Sequence, residues 1–542
     1  MAEVRVPHPM TFERARSVAV VGSGTAGLFA ALALQRVRPD LRIAIVASRA
    51  IPVIGVGEAT TPPLVAFLYG FLGLDPIALH RSVRPTWKLG IRFEWGLPDR
   101  AFHYAFGGGD LGAARLYTGH ILDYSLTSRL MTSGAGLLLR EEPNAPASSG
   151  AASGEGLRSL LDAHRFAYHL DNAPFVAFLE EQATARGIER IAATILDVRR
   201  DDVGGIESLV AEDGRELTFD VYVDATGFRS QLLGGALEVP FTSWESSLLC
   251  DTAVVGNGPF PEGTGPAPFT RARTMNAGWC WTIPTREENH YGYVFASSFL
   301  DPAEAERELR DTYRIEGPTR IVRFRSGRRA ELIAGNVAAI GNAYGFVEPL
   351  ESTALHMAIS TSLRLAALAT GASSDAAAVS REVGEQWDYL RGFLAVHYRY
   401  NARLDTPFWR HCRQEVDLAT LAHAVDEYRS GPLFTQRSPL PSYIRDTLFG
   451  ARGLDLLLLG QEVLPGQLVA EIDRDAWTAR RAEWSALEAR ALSHADALAA
   501  CDAHPALLTS FVQSGWVDLA AGMMKRGAPA RSAQRPGFGQ RY

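Results

Sequence analysis

Three glycines near the start of the chain have the spacing that a bound pyrophosphate requires. Gly22, Gly24 and Gly27 follow the apolar segment SVAVV and precede an alanine-rich segment with helical periodicity. The first glycine permits a tight turn, the second lets phosphates approach the backbone, and the third lets helix and strand pack closely. The amides of Thr25 and Ala26 would then face the anion. We therefore predict a dinucleotide site here, the alternative being a chance glycine turn.

The residue that usually binds the ribose of a dinucleotide is missing. A carboxylate is expected about 20 residues after the glycines, yet the second strand ends in Val46-Ala47-Ser48. Either other groups hold the ribose, or the cofactor binds loosely and exchanges. No second GxGxxG follows a strand, so the sequence offers no dedicated site for a nicotinamide cofactor.

A second segment favours FAD over NAD. The strand FDVYVD runs into Asp224-Ala225-Thr226-Gly227, and a strand ending in this way beside a nucleotide site resembles a motif of FAD-dependent monooxygenases.

Two tryptophans two residues apart occur in the segment GWCWTIP. Because a strand repeats every two residues, Trp279 and Trp281 should face one side while Cys280 and Thr282 face the other. Two indoles on one side of a strand could separate two sites, and we therefore call Trp279 and Trp281 the tryptophan barrier. The alternative is a buried aromatic strand that only packs.

Four segments together carry a family resemblance: GVGEAT at 55–60, WKLGIRFEWG around Lys88, GWCWTIP, and GFVEPLESTALH at 345–356. Together they resemble the flavin-dependent halogenases, specifically the tryptophan halogenase family, from about residue 17 to about residue 412. The resemblance implies an α/β (α+β mixed) fold with a monooxygenase-like, Rossmann-type module. It also implies FAD used as FADH₂, chloride as co-substrate and a separate flavin reductase as partner.

The resemblance implies a set of flavin-binding residues. These are Gly22, Gly24, Thr25, Ala26, Gly27, Gly55, Val56, Gly57, Glu58, Ala59, Gly341 and Pro349. Glu58 is expected in a loop of a strap that covers the flavin, the alternative being a purely structural turn.

The resemblance also assigns a reaction. In the family, reduced flavin and O₂ give a C4a-hydroperoxide, chloride attack on it yields hypochlorous acid, and the tryptophan barrier keeps the acceptor ring away from the flavin. Lys88 matches the lysine that holds the oxidant by a hydrogen bond or as a chloramine. Glu351 matches the glutamate that polarises the chlorinating species or takes the ring proton. Taken alone, such a lysine is normally a solvated surface residue, and such a glutamate a partner of a helix dipole.

A chloride site is expected at the start of a helix. Ser352 and Thr353 are N-cap types before a long apolar-periodic segment. Free amides at Thr353 and Ala354 would form an anion site at the positive end of the helix. The family binds chloride at these two positions, although glycine is common where Ala354 stands.

The acceptor site departs from the family pattern for free tryptophan, in which a histidine, a phenylalanine and a C-terminal tryptophan enclose the indole. Here Tyr104-Ala105-Phe106 leaves Phe106 unchanged, and GLDLLLLGQ places Leu454 near the position of the tryptophan. A wider, more apolar pocket suits a bulky acceptor, such as a tryptophan within a peptide. The sequence is also similar to the lanthipeptide-acting members of the family. The pocket residues alone fit a free indole, a phenol or a polyketide equally well.

Two other functions stay open on the sequence. One is an FAD-dependent aromatic hydroxylase of the same fold, which would oxygenate its acceptor without halide. The other is a flavin-binding or scaffold protein that has lost catalysis.

Length and composition predict two modules. The chain has 542 residues, of which 47% are hydrophobic and 21% are charged. We expect an FAD-binding module at 1–400 with a mobile loop at 141–156, a helical substrate-binding module at 401–524, and a disordered tail at 525–542. Helices are predicted at 352–370, 375–400 and 474–498 from apolar spacing of three and four.

Charge and cysteine content exclude several classes of protein. Net charge is −7, and no basic run with interleaved aromatics precedes the tail, so no nucleic acid partner is expected. Cys250, Cys280, Cys412 and Cys501 lie far apart without a CxxC, against a disulfide framework or a cysteine metal site. No apolar stretch is long enough to span a membrane. We expect a cytoplasmic protein and leave a homodimer open.

Overall fold

The computed structural model describes residues 11–48, 57–141, 152–153, 156–373, 375–445 and 447–513. Most of the expected mobile loop at 141–156 and all of the expected tail at 525–542 lie outside the described residues.

Strands occur along most of the described chain. They are β1 (Ser17–Val21), β2 (Arg42–Ala47), β3 (Glu58–Ala59), β4 (Thr86–Lys88), β5 (Gly90–Glu94), β6 (Phe102–Ala105), β7 (Ala135–Arg140), β8 (Ala152–Ser153), β9 (Leu157–Ser159), β10 (Ala167–Leu170), β11 (Glu189–Ala192), β12 (Ile195–Arg200), β13 (Ile206–Ala211), β14 (Glu216–Leu217), β15 (Val221–Asp224), β16 (Phe241–Ser243), β17 (Thr252–Gly258), β18 (Thr270–Met275), β19 (Gly278–Pro284), β20 (Asn289–Phe295), β21 (Thr319–Arg323), β22 (Gly327–Arg329), β23 (Ile333–Ala334), β24 (Val337–Ala339), β25 (Gly345–Phe346) and β26 (Ala491–Ser493).

Helices dominate the last third. The α-helices are α1 (Thr25–Val37), α2 (Pro62–Val65), α3 (Pro76–Val83), α4 (Leu111–Thr118), α5 (Leu126–Ser133), α6 (Asn172–Ala185), α7 (Pro302–Tyr313), α8 (Ala354–Ala369), α9 (Ala376–Tyr400), α10 (Pro407–Glu415), α11 (Ala422–Ser430), α12 (Ser442–Arg445), α13 (Gly450–Gly460), α14 (Arg474–Arg490) and α15 (His494–Ala503).

A six-stranded sheet forms the nucleotide-binding core, in the order β11-β2-β1-β15-β24-β23. All neighbouring strands are parallel except β23 and β24. Its central strands are almost wholly apolar and buried, and α1 packs on β1, β2 and β15. The prediction of a Rossmann-type α/β module is confirmed.

A seven-stranded mixed sheet carries the tryptophan barrier, in the order β21-β17-β20-β19-β18-β5-β6. Trp279 and Trp281 of β19 belong to the main hydrophobic core, whereas Cys280 packs in a smaller cluster that includes residues of α7. The predicted alternation of these side chains is therefore confirmed.

The strand that carries Lys88 lies at the junction of two sheets. β4 is an edge strand of a small sheet with the order β3-β10-β4, and after Leu89 the chain continues as β5 of the seven-stranded sheet. This junction places Lys88 beside both sheets.

The helices after residue 400 pack directly on earlier elements: α13 on β6, α14 on α5 and α15 on β7.

The prediction of one helix over 474–498 is wrong, because β26 interrupts it. Ala491 and Ser493 pair with β7, and the Ser493 hydroxyl accepts a bond from the Asp496 amide at 3.1 Å to begin α15. The other two predicted helices are confirmed as α8 and α9. The division at residue 400 stays a prediction.

Within the described residues, no helix has both the length and the apolar character needed to cross a bilayer. The same residues contain no group of three or more histidine, cysteine or acidic side chains that could hold a metal ion.

Candidate active site

The glycine turn between β1 and α1 has one open side. Gly22 has φ of +115°, and a Cβ there would lie 2.3 Å from the Ala225 carbonyl oxygen. A Cβ on Gly27 would lie 2.4 Å from the Gly22 carbonyl oxygen. At Gly24, by contrast, no described atom lies within 4 Å of the Cβ position. The open side of the turn is therefore at the start of α1.

The same turn leaves polar groups for a ligand. Thr25 is 7% exposed, and its Oγ1 has no hydrogen-bond partner among the described residues. Within the described part of the chain, no side chain caps the N-terminus of α1. The turn at Gly341, where φ is +60°, packs against Ala26, because a Cβ there would lie 2.8 Å from the Ala26 Cβ. An uncapped helix start with an orphaned hydroxyl suits a pyrophosphate, so these residues fit FAD.

The strap is described only from Gly57 onwards, and Gly55 and Val56 lie outside the described residues. Glu58 pairs with Leu170 of β10 in the short strand β3. The prediction that Glu58 lies in a loop is therefore wrong, because β10 offers its backbone a partner. The Glu58 carboxylate accepts a bond from Asn172 Nδ2 at 3.0 Å, and burial raises its pKa to about 7.

The segment before α8 places several polar groups together. Pro349–Glu351 forms a 3₁₀ turn, and Ser352 then adopts φ of +57°, which is uncommon for a residue other than glycine. Thr353 is the N-cap of α8, and among the described residues its buried Oγ1 has no partner. The backbone amides of Thr353 and Ala354 also have no hydrogen-bond acceptor within the described part of the chain. This helix start can therefore receive an anion.

Lys88 is fully buried beside this helix start. Its Nζ donates to Ser352 Oγ at 2.7 Å and lies 5.6 Å from the centroid of the Phe106 ring. Burial lowers the pKa of Lys88 to about 7, while the Glu351 charge acts in the opposite direction. A large fraction of the amine is therefore neutral and nucleophilic near neutral pH.

Glu351 and His397 form a buried pair that shares one proton. Glu351 Oε1 lies 2.8 Å from His397 Nε2, and the two side chains are 2% and 0% exposed. His397 Nδ1 lies 3.0 Å from the Phe393 carbonyl oxygen, and a carbonyl only accepts, so Nδ1 carries a hydrogen. Nε2 and Oε1 must then hold one proton between them. The pair places a carboxyl group and an imidazole that share a proton beside Lys88.

The tryptophan barrier is held by a buried carboxyl group. The two indole rings lie 5.9 Å apart between centroids. Trp279 Nε1 donates to Glu348 Oε2 at 2.7 Å, and the Tyr398 hydroxyl donates to the same oxygen. Glu348 is fully buried, and burial raises its pKa to about 7. This contact fixes the orientation of the first indole.

The second indole of the barrier occupies the space that a side chain would need at a glycine of the neighbouring strand. Trp281 pairs in register with Gly292, and a Cβ on Gly292 would lie 1.9 Å from Trp281 Cζ2. The strand ends at Pro284, whose carbonyl oxygen accepts from Thr86 Oγ1 at 2.7 Å. β19 is thereby joined to the strand of Lys88.

The expected acceptor residues meet α13. Tyr104 of β6 contacts the Phe449 ring edge-on at 6.3 Å between centroids. A Cβ on Gly453 would lie 2.5 Å from the Tyr104 hydroxyl oxygen, so α13 packs closely over Tyr104. Leu454 is fully buried in α13, whereas the aromatic ring that this region places against Tyr104 belongs to Phe449.

Sequence reasoning missed Glu348, His397 and Phe449. Glu348 lies in the segment EPLEST that carried the resemblance, so the resemblance could have indicated it as a site residue. His397 and Phe449 belong to no such segment, and nothing local distinguishes them.

Comparison with known proteins decides the family. The tryptophan halogenase model matches residues 17–474, which is most of the chain. The protein belongs to the tryptophan halogenase family. This halogenase is 35% identical over 423 residues to the 7-chloro-L-tryptophan 6-halogenase KtzR of Kutzneria sp. (strain 744), covering 72% of this chain and 80% of that protein. It is 30% identical over 439 residues to the tryptophan 7-halogenase RebH of Lentzea aerocolonigenes, covering 76% and 82% respectively.

A solved structure is also similar to this halogenase. MibH, a lanthipeptide tryptophan 5-halogenase, superimposes with a TM-score of 0.86 at 39% identity, over 95% of this chain and 99% of that chain. The fold and the flavin-dependent enzyme class expected from the sequence are thereby confirmed.

Proposed function

We propose that this halogenase chlorinates the indole of a tryptophan within a peptide, with Lys88 as the catalytic lysine. The observation that carries the proposal is the environment of Lys88. Its amine is fully buried, bonded to Ser352 and close to Glu351, beside a helix start whose first amides have no acceptor among the described residues. FAD would arrive as FADH₂ from a separate flavin reductase, and chloride would be the halide.

Each group at the site has a role in this proposal. When bound, FADH₂ would supply two electrons that activate O₂, and the activated O₂ would be the oxidant that converts chloride to hypochlorous acid. The Thr353 and Ala354 amides hold chloride at the positive end of α8. Lys88 holds hypochlorous acid by a hydrogen bond, or its neutral amine exchanges an N–H hydrogen for chlorine and releases water.

Chlorine transfer then needs a proton acceptor. The indole carbon forms a bond to chlorine and releases its hydrogen as a proton, while the electron pair of the broken chlorine bond stays on the Lys88 nitrogen or on hydroxide. Glu351 lies close enough to Lys88 to affect its pKa, and its carboxylate takes the ring proton. The hydrogen bond to His397 keeps the Glu351 carboxylate in place.

A peptide acceptor is supported by two observations. The C-terminal elements around Tyr104 provide Phe449, Gly453 and Leu454, and none of these is the tryptophan expected for a free amino acid site. The similar structure MibH is described as a lanthipeptide halogenase. An acceptor region that lacks this tryptophan suits an indole that arrives attached to a peptide.

The acceptor is identified by a competition experiment. The protein, a flavin reductase and chloride are mixed with free tryptophan, simple indoles and tryptophan-containing cyclic peptides, and products are identified by mass spectrometry. We expect chlorinated peptide. Chlorination of free tryptophan alone would overturn the peptide assignment, and oxygenated product without halide would indicate the aromatic hydroxylase.

The assignment of Lys88 has a matched control in this chain. The sequence contains two lysines, Lys88 and Lys525. Lys88→Ala should abolish chlorination while FAD still binds, because the described residues contain no other lysine. Lys525→Ala should leave the rate unchanged. Appreciable chlorinated product from Lys88→Ala, measured by mass spectrometry, would refute the catalytic role.

A further inference from the structure

The strand that carries Lys88 lies at the edge of its sheet. Among the described strands β4 pairs only with β10, with Thr86 opposite His169, Trp87 opposite Tyr168 and Lys88 opposite Ala167. An edge strand presents backbone groups that have no partner in the sheet. On the free side of β4, the Trp87 amide donates to His494 Nε2 at 3.2 Å.

The hydrogen bonds of His494 fix its tautomer. Its Nδ1 lies 2.9 Å from the Pro266 carbonyl oxygen, so Nδ1 carries a hydrogen and donates it. Nε2 is then the unprotonated nitrogen and accepts from Trp87. The ring is 1% exposed, and burial lowers its pKa to about 4. His494 is therefore a neutral acceptor throughout the neutral pH range.

A second neutral histidine holds the other end of β4. Thr86 Oγ1 donates its single hydrogen to Pro284 at 2.7 Å and accepts from His169 Nδ1 at 3.1 Å. His169 Nε2 in turn accepts from Thr270 Oγ1 at 2.9 Å. Burial keeps the pKa of His169 well below its ordinary value. Thr86 and Trp87 are thus both fixed immediately before Lys88.

We propose that His494 is a positioning residue for Lys88, which acts by accepting the Trp87 amide and holding β4 so that the lysine amine meets Ser352. This proposal depends on the proposed function in one respect only, because the proposed function is what makes the position of the Lys88 amine important. It makes the start of α15, 407 residues after Trp87, part of the machinery that orients the amine.

Two amide variants separate hydrogen bonding from packing. In His494→Gln the side-chain oxygen can reach the position of Nε2 and accept from Trp87. In His494→Asn the shorter side chain reaches only the position of Nδ1, where it can donate to Pro266. A role in packing alone predicts similar behaviour for both variants, whereas the positioning role predicts that only His494→Gln resembles the wild type.

The readouts need neither substrate nor flavin. With lysine labelled by ¹³C at Cε, the two lysines give two NMR signals, and Lys525→Arg assigns them. We expect Lys88 to titrate near pH 7 in the wild type and in His494→Gln. In His494→Asn it should titrate closer to the ordinary lysine pKa of 10.5, because a loosened β4 admits water. The titratable groups that face the amine, Glu351 and His169, are left unaltered by both substitutions.

Hydrogen exchange of the β4 peptide gives a second measurement. The Trp87 amide should exchange at least about tenfold faster in His494→Asn than in His494→Gln, since an unpaired amide loses its protection. Equal titration and equal exchange in the two variants would overturn the proposal. If His494→Asn does not fold, His494→Met tests the loss of the acceptor at similar volume. If both fail while His494→Gln folds, the bond serves folding and the positioning role is rejected.

These outcomes are independent of the proposed function. Chlorination by Lys88→Ala would remove the catalytic role of the lysine, yet the coupling between His494 and the Lys88 titration would still be measurable. Conversely, an unchanged Lys88 titration in His494→Asn would leave the halogenase assignment intact.

Discussion

At the scale of single residues, burial sets the chemistry of the site. It lowers the pKa of Lys88 to about 7 and raises that of Glu348 to about 7, since a charged group loses hydration in both cases. The lysine becomes a nucleophile at neutral pH, whereas Glu348 accepts bonds from Trp279 and Tyr398. Burial thus suits Lys88 to the reactive role proposed for it, and it leaves Glu348 as a hydrogen-bond acceptor in the core.

The buried ammonium of Lys88 should cost stability at low pH. Its pKa is lower in the folded than in the unfolded protein, so the unfolded chain binds the proton more tightly. The penalty is full below about pH 7 and disappears as pH rises towards 10.5, so this group makes the free energy of unfolding increase with pH.

Lys88→Met removes the stability penalty of the buried ammonium. The stability advantage of Lys88→Met over the wild type should shrink by about 3 kcal/mol between about pH 6 and about pH 9. Urea denaturation of both proteins across this range measures the difference. An advantage that stays constant with pH would contradict the lowered lysine pKa.

Glu351 and His397 should act as a unit because they share one proton. Glu351→Gln and His397→Ala should each lower the chlorination rate by about 10²- to 10⁴-fold, with FAD affinity unchanged. The double variant should be little slower than either single variant, since each change already breaks the pair.

Single-turnover kinetics on the acceptor identified by mass spectrometry tests this coupling. The control is His423→Gln, because the His423 side chain is 75% exposed on α11. Strictly multiplicative effects of Glu351→Gln and His397→Ala would show that the two residues act separately.

At the scale of elements, the geometry of β19 and its neighbour decides whether the tryptophan barrier forms. Alternation along β19 turns both indoles to one side, and the absence of a side chain at Gly292 makes room for Trp281. The start of α8 is similarly a backbone feature, because the positive φ of Ser352 turns the chain before the helix begins. Both features therefore depend on the backbone, the first on the missing side chain at Gly292 and the second on the positive φ of Ser352.

Gly292→Ala should open the tryptophan barrier. The new Cβ overlaps the Trp281 ring, so the indole must move, at a cost of about 1–3 kcal/mol. We expect a lower melting temperature and less chlorinated product per FADH₂ consumed, because the flavin site and the acceptor are no longer kept apart. Calorimetry and product analysis measure the two effects.

Gly256→Ala on β17 is the matched control, since the nearest atom to its Cβ, Thr319 Cγ2, lies 3.2 Å away. Unchanged product yield per FADH₂ in Gly292→Ala, in a protein that is shown to be destabilised, would contradict a separating role for Trp281.

At the scale of the whole molecule, distant segments assemble the site. The glycine turn comes from the first 30 residues, the tryptophan barrier from β19, the proton-sharing histidine from α9 and the contact to Tyr104 from the region of α13. The chain after residue 400 contacts β6, α5 and β7 directly. Damage to the C-terminal helices should therefore affect acceptor binding before flavin binding.

The missing ribose carboxylate predicts exchangeable FAD. β2 ends in Ala47 and is followed by Ser48, whose hydroxyl lies 2.8 Å from Thr194 Oγ1. With no acid there, the purified protein should be nearly colourless and should regain flavin on mixing, as absorbance spectroscopy will show. FAD that stays stoichiometric after long dialysis would contradict this prediction.

The sequence by itself determined features that depend on neighbours along the chain. The glycine turn, the alternation of Trp279 and Trp281 and the helix after Ser352 are local, because backbone geometry and side-chain periodicity act over a few residues. The segment EPLEST similarly indicated Glu351 through resemblance. These features were predicted correctly as structure, and their chemical roles stay proposals.

Only the tertiary structure decided which distant groups meet. His397 lies 46 residues from Glu351, and His494 lies 407 residues from Trp87, yet each pair shares a hydrogen bond. Strand pairing likewise overrode local preference at Glu58 and at 491–493. Such contacts depend on how whole elements pack, and the same short segment in another environment would find other partners. The pKa of Lys88 belongs to this class, since burial is a property of the assembled fold.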